Sequence, residues 1–505
     1  MNFKISSRLN QDQISLALVF LYVVGLVVLI WSVVLSGYHF QFNADEIFNA
    51  NTIYLMVKGY KPYVDFYTVY SPILHWILTP VFWLFGFNFG AISVARIVMI
   101  FLFFVRLILM FLLVARVFGR RVGYLFLPLY LMSPFVVFSE MQIRPDNLMM
   151  VFYTLFLLVF SYEIDSSPPN RRLRMTGGWL SGILFAVTLL TNIKIVPSLA
   201  AFGLVFFYFV LQKRNFSQLW RFINGFCLTF LAFFAYFLIK GYAGEMFLHV
   251  FLDPVRLNNS IPYPTWLGYF YFSNPTIYGL EGKPMNWLYA WSLPVLAFAG
   301  GYKSLLNSEG NTHAFFLNII KIILFVSLIF QWASMLFINS VFIQYYIPLN
   351  WLYAVFTAYL IDDLLFKTEM PKILQKGLFV IFVIFFAFLY KTSIKANNTR
   401  SKIISDPIIK ETEELWKIIP QESPAFPNII FRRPIYPILW GSTFAPYMRE
   451  RFPPAYLAIE KYKLPVLVGL NDEYFSYLDS ESQQYILTHY MKDERDNRIW
   501  KRKNN

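Results

Sequence analysis

The sequence predicts an α-helical polytopic membrane protein. Three observations carry that expectation. Charged residues make up only 14% of 505 residues, against roughly 25% in soluble domains. Hydrophobic residues reach 57%, more apolar surface than one soluble core could hide. Apolar runs long enough for a membrane of about 30 Å recur along the chain. The formal charge of +14 then reads as loop charge that sets orientation; membrane lipids are expected as partners and nucleic acid is not. The single cysteine, Cys227, excludes an intramolecular disulfide and a cysteine-built zinc site.

Eleven spans are expected, near 14–36, 91–116, 122–138, 147–162, 177–192, 196–212, 222–240, 287–302, 317–337, 345–361 and 377–393. The first is too long for a signal-peptide core and has no cleavage site after it, so it reads as a retained span. Several others are short, which predicts tilted or partly broken helices. Basic clusters at Arg116/Arg120/Arg121, Arg171/Arg172/Arg174, Lys213/Arg214/Arg221 and Lys367/Lys372/Lys376 all fall in the cytoplasm if the N-terminus is cytoplasmic and there are eleven spans. Ser71–Gly86 is also apolar, but it has 16 residues and contains Pro72, His75 and Pro80. Counting it as a crossing would put the Arg116–Arg121 cluster outside, so it is expected as an interfacial helix on the outer face.

Two regions follow: a transmembrane part over 1–393, with a first outer loop at 37–90, and an extracytoplasmic tail over 394–505. The tail has proline-rich turns from Pro420 to Pro454, a strand-like run Leu464–Leu470 and a mixed-charge helical pattern Glu481–Arg495. About 110 residues suffice for a small α/β domain. A bacterial plasma membrane is the expected location.

Residues that could carry chemistry gather in the outer loops. Asp45 and Glu46 follow span one. Asn43–Val57 has helical character, with Ile47, Tyr54, Leu55 and Val57 available to rest on the membrane. That would hold Asp45 at the water–lipid boundary; the plainer reading is a helix cap. Glu140-Met141-Gln142-Ile143-Arg144-Pro145-Asp146 forms the second outer turn, where Arg144 could face a phosphate and Asp146 assist Asp45, or the two could simply pair. Lys194 lies in a very short outer turn, as a phosphate-binding cation or a snorkelling lysine. Arg256 is a similar candidate. Tyr345 and Tyr346 could contact a sugar or phosphate, or belong to an interfacial belt. Arg106, near mid-span, demands a buried acidic partner. The five histidines never take a metal-ligand spacing, and no phosphate-binding loop, dinucleotide fingerprint or nucleophile elbow is present.

The acidic pair, the following GYKPYVDFYTVYSPILHWILTPVFWLFG, the later EMQIRPD within ARIVMIFL…FYTLFLL, and the late QYYIPL together resemble the GT-C superfamily of integral membrane glycosyltransferases. The likeness is to the branch of protein O-mannosyltransferases and lipid A aminoarabinose transferase. It covers residues 14–200 well and the remainder by layout. The resemblance implies a GT-C fold, a polyprenyl-phosphate-linked sugar donor and a lipid, glycan or protein acceptor outside the cytoplasm. It implies inversion in one displacement, with Asp45 as general base, Glu46 orienting it and Asp146 as second acid. Arg144, Lys194 and Arg256 would hold donor phosphate, and Asp65, Tyr345 and Tyr346 would contact substrate. A divalent metal between two outer acids is conceivable, although this branch generally works without one. The alternative function is a transporter or lipid-linked-sugar flippase, suggested by the many spans and by Arg106; it predicts repeated halves, which the sequence lacks.

Overall fold

The structure, a computed structural model, describes residues 11–40, 42, 44–66, 68–133, 140–164, 178–213, 216–260, 284–306, 312–338, 343–401, 407–419, 424–425, 433–434, 454–461, 463–468, 470–476 and 478–503. Each of the eleven expected spans carries helix. The chain runs through α1 (Gln11–His39), α2 (Ala44–Val57), α3 (Ile73–Phe85), α4 (Phe89–Phe118), α5 (Arg120–Leu131), α6 (Pro145–Ile164), α7 (Trp179–Thr191), α8 (Val196–Lys213) and α9 (Phe216–Ile239). A short helix Ala243–Phe247, a π-helical turn Leu248–Leu252 and a helix Asp253–Ser260 lead to α10 (Pro284–Leu306), α11 (Thr312–Ser334), α12 (Ile347–Phe366) and α13 (Lys372–Ser401).

Among the described residues, α1, α4, α6, α8, α9, α11, α12 and α13 are long and apolar enough to cross a membrane. α4 is 30 residues long, about 45 Å at 1.5 Å per residue. Its start is fixed by Asn88, whose side chain accepts from the Ala91 amide at 2.9 Å, an N-cap that satisfies one orphan donor. α5 and α7, at 12 and 13 residues, reach no more than about 20 Å, short of the roughly 30 Å that a full crossing needs.

Burial sorts the helices. α12 is enclosed on all sides, with Leu349, Trp351, Tyr353 and Val355 essentially inaccessible, and it packs against α5 and α10. α1, α9 and α13 keep Leu21, Trp31, Leu231, Leu238, Ile373 and Phe379 on the outside, as helices bordering lipid do. Small residues let backbones approach: a Cβ on Gly182 of α7 would run into the Phe222 carbonyl of α9, and one on Gly225 of α9 into the Trp179 carbonyl.

Two of the basic clusters meet at one end of the bundle. Arg121 and Lys367 both pair with the buried Asp362, at 3.5 and 3.1 Å, while Lys303 reaches the neighbouring Asp363 at 2.5 Å. The crossing parity inferred from charge requires those clusters to share a side, and they do.

Near the opposite end of α4, α2, α3 and the first turns of α4 make a second core: Ile47, Ile53 and Tyr54 pack with Leu74, Leu78, Phe82, Phe87, Ile92 and Met99. Ile47, Tyr54 and Leu55 are therefore buried in protein rather than resting on the membrane. α3 offers them an apolar face of its own, and burial between helices removes more surface from water than one-sided contact does.

α13 continues through residue 393 to Ser401, so the change of composition falls after the helix. The helix Pro407–Ile418 (α14) joins the two regions: Ile409 and Trp416 lie against the α2–α4 core, and Leu415 with Ile419 against Val468 and Ile499. In the tail Val466–Val468, Ile499–Arg502 and Tyr490–Lys492 form an antiparallel sheet with Ile499–Arg502 in the centre. The strand falls inside the expected Leu464–Leu470. The expected helix over Glu481–Arg495 is shorter than predicted: it spans Ser480–His489, and Tyr490–Lys492 turns to strand because its pairing with Ile499–Arg502 buries Tyr490 and Trp500. Most of the proline-rich stretch lies outside the described residues.

Candidate functional site

The first turn of α2 carries two consecutive acids, which a helix N-terminus favours electrostatically. Consecutive residues point about 100° apart on a helix, and here that separates their environments. The Asp45 side chain is 28% exposed, whereas that of Glu46 is fully buried. Glu46 is saturated: Arg96 Nε donates to its Oε1 at 2.8 Å, Arg96 Nη2 pairs with Oε2, and the Ile143 amide donates to Oε1 at 3.2 Å. Arg96 Nη1 also reaches the carbonyls of Tyr38 and Phe40, at 3.0 and 2.5 Å. One ion pair thus ties the end of α1, the start of α2, α4 and the loop before α6.

That loop, residues 140–146, is the backbone of the site. Glu140 pairs with the buried Arg106 and accepts from Tyr130 Oη at 2.9 Å, which identifies the acid that Arg106 requires. Four residues on, the Arg144 guanidinium is held between both expected acids. Its Nη1 pairs with Asp45 Oδ2, and its Nε lies 3.5 Å from Asp146 Oδ2. Burial works against this charge, but Asp45 above all, then Tyr70 and Asp146, raise its pKa above the ordinary arginine value. The same surroundings act on Tyr70: burial and Asp45 push its phenol well above its usual pKa.

Asp146 opens α6 and is itself fully buried. Its Oδ1 accepts from Lys194 Nζ at 3.0 Å and from Asn192 Nδ2 at 3.4 Å. Lys194 sits in a single 3-10 turn, Ile193–Ile195, and its ammonium lies 4.7 Å from the ring centre of Tyr345, within cation–π range. Gln331 supports the turn from α11, donating to Ser198 Oγ at 3.0 Å and to the Lys194 carbonyl at 3.4 Å. The result is a chain of alternating charge, Asp45–Arg144–Asp146–Lys194, whose exposed end is Asp45.

Six of the nine expected site residues therefore belong to one network: Asp45, Arg144, Asp146, Lys194 and Tyr345 in contact, with Glu46 buttressing them from behind. Three have other surroundings. Tyr346 is 1% exposed in the main core. Asp65 closes its own turn, accepting from the Lys61 amide at 2.6 Å. Arg256 is exposed on the helix Asp253–Ser260. Sequence reasoning missed Asn49 and His75. Asn49 Nδ2 donates to the carbonyls of Asp45 and Ile143, at 2.8 and 3.0 Å, so its Oδ1 is left to accept from His75 Nε2 at 2.8 Å. The available signal was a histidine in the otherwise apolar helix Ile73–Phe85; Asn49, in a helix that also carries Asn51 and Thr52, gave none. Burial pushes His75 down to about 3, so it is neutral and its Nε2 carries the proton.

The donor set does not fit a divalent metal between Asp45 and Asp146, because a guanidinium occupies the position between the carboxylates. Among the described residues no three His, Cys, Asp or Glu side chains gather in a way that could hold a metal ion.

No protein-family model matches the chain, and no curated protein matches it in sequence. Solved structures do resemble it. ArnT from Cupriavidus metallidurans in the apo state superposes with a TM-score of 0.58 over 96% of this chain and 97% of that one, at 15% identity. The oligosaccharyltransferase of Archaeoglobus fulgidus, tethered to an acceptor peptide containing the NVT sequon, gives 0.56 over 93% of this chain and 72% of that one, at 13% identity. The same enzyme in the apo form gives 0.54, over 92% and 72%, at 11% identity. At these identities the likeness is one of architecture: the chain shares the membrane fold of these structures.

Proposed function

We propose that the protein is a membrane glycosyltransferase that moves a sugar from a polyprenyl-phosphate carrier to an acceptor on the side of the membrane where the tail lies. The observation that carries this reading is the charge chain Asp45–Arg144–Asp146–Lys194 in a GT-C fold. It offers one partly exposed carboxylate and two cations, a buried Arg144 and a largely enclosed Lys194, both held by Asp146. A sugar phosphodiester asks for that combination: a base for the incoming hydroxyl and positive charge for the phosphate that departs.

In the proposed reaction Asp45 accepts the proton of the acceptor hydroxyl as its oxygen attacks the anomeric carbon. The bond from that carbon to the phosphate oxygen breaks, and its electron pair stays on the phosphate. Arg144 and Lys194 stabilise the added negative charge, and attack opposite the leaving group inverts the anomeric centre. Glu46, with both oxygens engaged, positions the α2 turn; Asp146 holds Arg144 and Lys194 at their spacing. Two of the similar structures support this reading by analogy: the oligosaccharyltransferase tethered to an acceptor peptide, and ArnT. The transporter alternative draws on the many spans and on Arg106; the second of these loses force, because Glu140 and Tyr130 meet the Arg106 charge within the bundle.

The test is turnover of a panel of radiolabelled polyprenyl-phosphate sugars by purified wild type and Asp45→Asn. The reading expects wild type to release sugar from one donor, and the variant to bind that donor without consuming it. No binding of any donor by either protein would overturn it; equal turnover by both would remove Asp45 from the role of base.

A further inference from the structure

The arrangement around Asp45 raises a difficulty that the reaction must resolve. The carboxylate proposed as base is neutralised by Arg144, the same cation proposed to receive the phosphate. A carboxylate oxygen that already accepts from a guanidinium has its lone pair engaged in a charge-assisted bond and is not free to receive the proton of a hydroxyl. The guanidinium is only partly committed, however. Arg144 is 3% exposed, and its Nη2 has no hydrogen-bond partner among the described residues. An unmade bond on a buried charged donor costs free energy, and a phosphate oxygen is the strongest acceptor that could make it.

The charges also balance in a telling way. Two carboxylates meet two cations, so the resting chain is neutral overall, with Asp45 at the solvent end and Lys194 at the other. An arriving phosphate adds negative charge that Lys194 cannot meet alone, because Asp146 already engages it at 3.0 Å. Arg144 is the group placed to turn. Asp146, 3.5 Å from its Nε, keeps the guanidinium anchored while its outer nitrogens change partner. The other ionisable groups facing Asp45 are the phenols of Tyr70 and Tyr345, and neither supplies a replacement cation.

We infer that Arg144 is an exchange cation: donor phosphate draws it from Asp45, and only then does Asp45 accept a proton. Asp45 is thereby masked in the empty enzyme and armed by the donor, which makes acceptor deprotonation conditional on a bound leaving group. This inference rests on the proposed phosphate site. It adds a coupling that the site could lack while still binding phosphate.

Proton exchange on binding reads the coupling directly. Farnesyl phosphate, a short soluble polyprenyl monophosphate, is titrated calorimetrically into the full-length protein in detergent at mildly acid pH, in two buffers of different ionisation heat. Wild type is expected to take up more protons per ligand than Asp45→Asn does. Binding with the same proton count in the two proteins would overturn the exchange while leaving the phosphate site intact. Absence of binding to wild type would overturn the site itself, and with it the inference. An Arg144→Gln variant provides the second arm. Its Asp45 has no cation to lose, so at saturating ligand the uptake assigned to Asp45 should fall to less than half. Undiminished uptake would assign the effect to direct repulsion between phosphate and carboxylate, and would overturn the role of Arg144.

Discussion

Asp45 and Glu46 are neighbours in sequence and chemically alike, yet the fold gives them different work. Asp45 is accessible and joined to one cation; Glu46 is enclosed and fully bonded. Replacing Asp45 by Asn should therefore lower transfer by roughly a hundred- to ten-thousand-fold, the range of general-base catalysis, while donor affinity holds or rises, because Asn no longer competes with phosphate for Arg144. Single-turnover kinetics against equilibrium binding separates the two, and a matched loss in both would argue against a base. Glu46→Ala should behave differently. It strands the Arg96 guanidinium inside the protein, and breaking a buried pair costs roughly 3–5 kcal/mol. Its effect should appear as a lower unfolding midpoint in detergent; a variant as stable as wild type would show that Arg96 finds other partners.

At the scale of elements, the site depends on how α2, α3 and the 140–146 loop are clamped. His75 of α3 holds Asn49 of α2, which holds the carbonyls of Asp45 and Ile143. Because burial lowers the His75 pKa to about 3, against about 6.5 in an unfolded chain, the sign of its pH effect follows. The unfolded chain takes up a proton below pH 6.5 that the folded site refuses, so stability declines as pH falls from about 6.5 towards 3. His75→Gln, which can still donate to Asn49, should flatten that slope. Parallel unfolding curves for both proteins across this range would refute the assignment. A second element-scale prediction concerns the α7–α9 contact, where Gly182 faces the Phe222 carbonyl. Gly182→Leu should force the helices apart at a cost of about 1–3 kcal/mol or more, read as a lower midpoint. An unchanged midpoint would mean that the helices are not in backbone contact there.

For the whole molecule, α14 is the joint between the membrane bundle and the tail, touching the α2–α4 core with one face and the sheet with another. The tail therefore lies at the Asp45 end, where it could bear on acceptor choice. Its sheet is held partly by charge: hydrogen bonds from Arg495 and Lys501 keep Asp493 below the usual carboxylate range, and Arg498 does the same for Asp496. Groups with depressed pKa values stabilise the fold above their unfolded value and lose that contribution as pH falls through the folded one. The tail should thus be stable at neutral pH and loosen only below about pH 4. Proteolysis of the tail as a function of pH checks this, and Asp493→Asn should remove part of the dependence. Cleavage that rises already near neutral pH would contradict it.

Local signals were enough for the helical membrane class, for helix in each expected span, for the short apolar helix at Ile73–Phe85, and for singling out Asp45, Arg144, Asp146 and Lys194 as charged residues near one another. Hydrophobic run length, charge sidedness and acids at a helix start act over a few residues, and composition records them. Partnership is not local. Glu46 finds Arg96 across 50 positions, Asp45 finds Arg144 across 99, and Asp146 finds Lys194 across 48; no periodicity encodes those distances. Nor could composition tell Tyr345 from Tyr346, one beside Lys194 and the other in the core, because their separation depends on which side of a single turn faces Lys194. What the sequence by itself determined was which segments are helical and apolar enough for a membrane and which charged residues stand at their ends. Only the tertiary structure decided which of those charges meet, because pairing in a low-dielectric interior is set by packing between elements that the chain brings together from far apart.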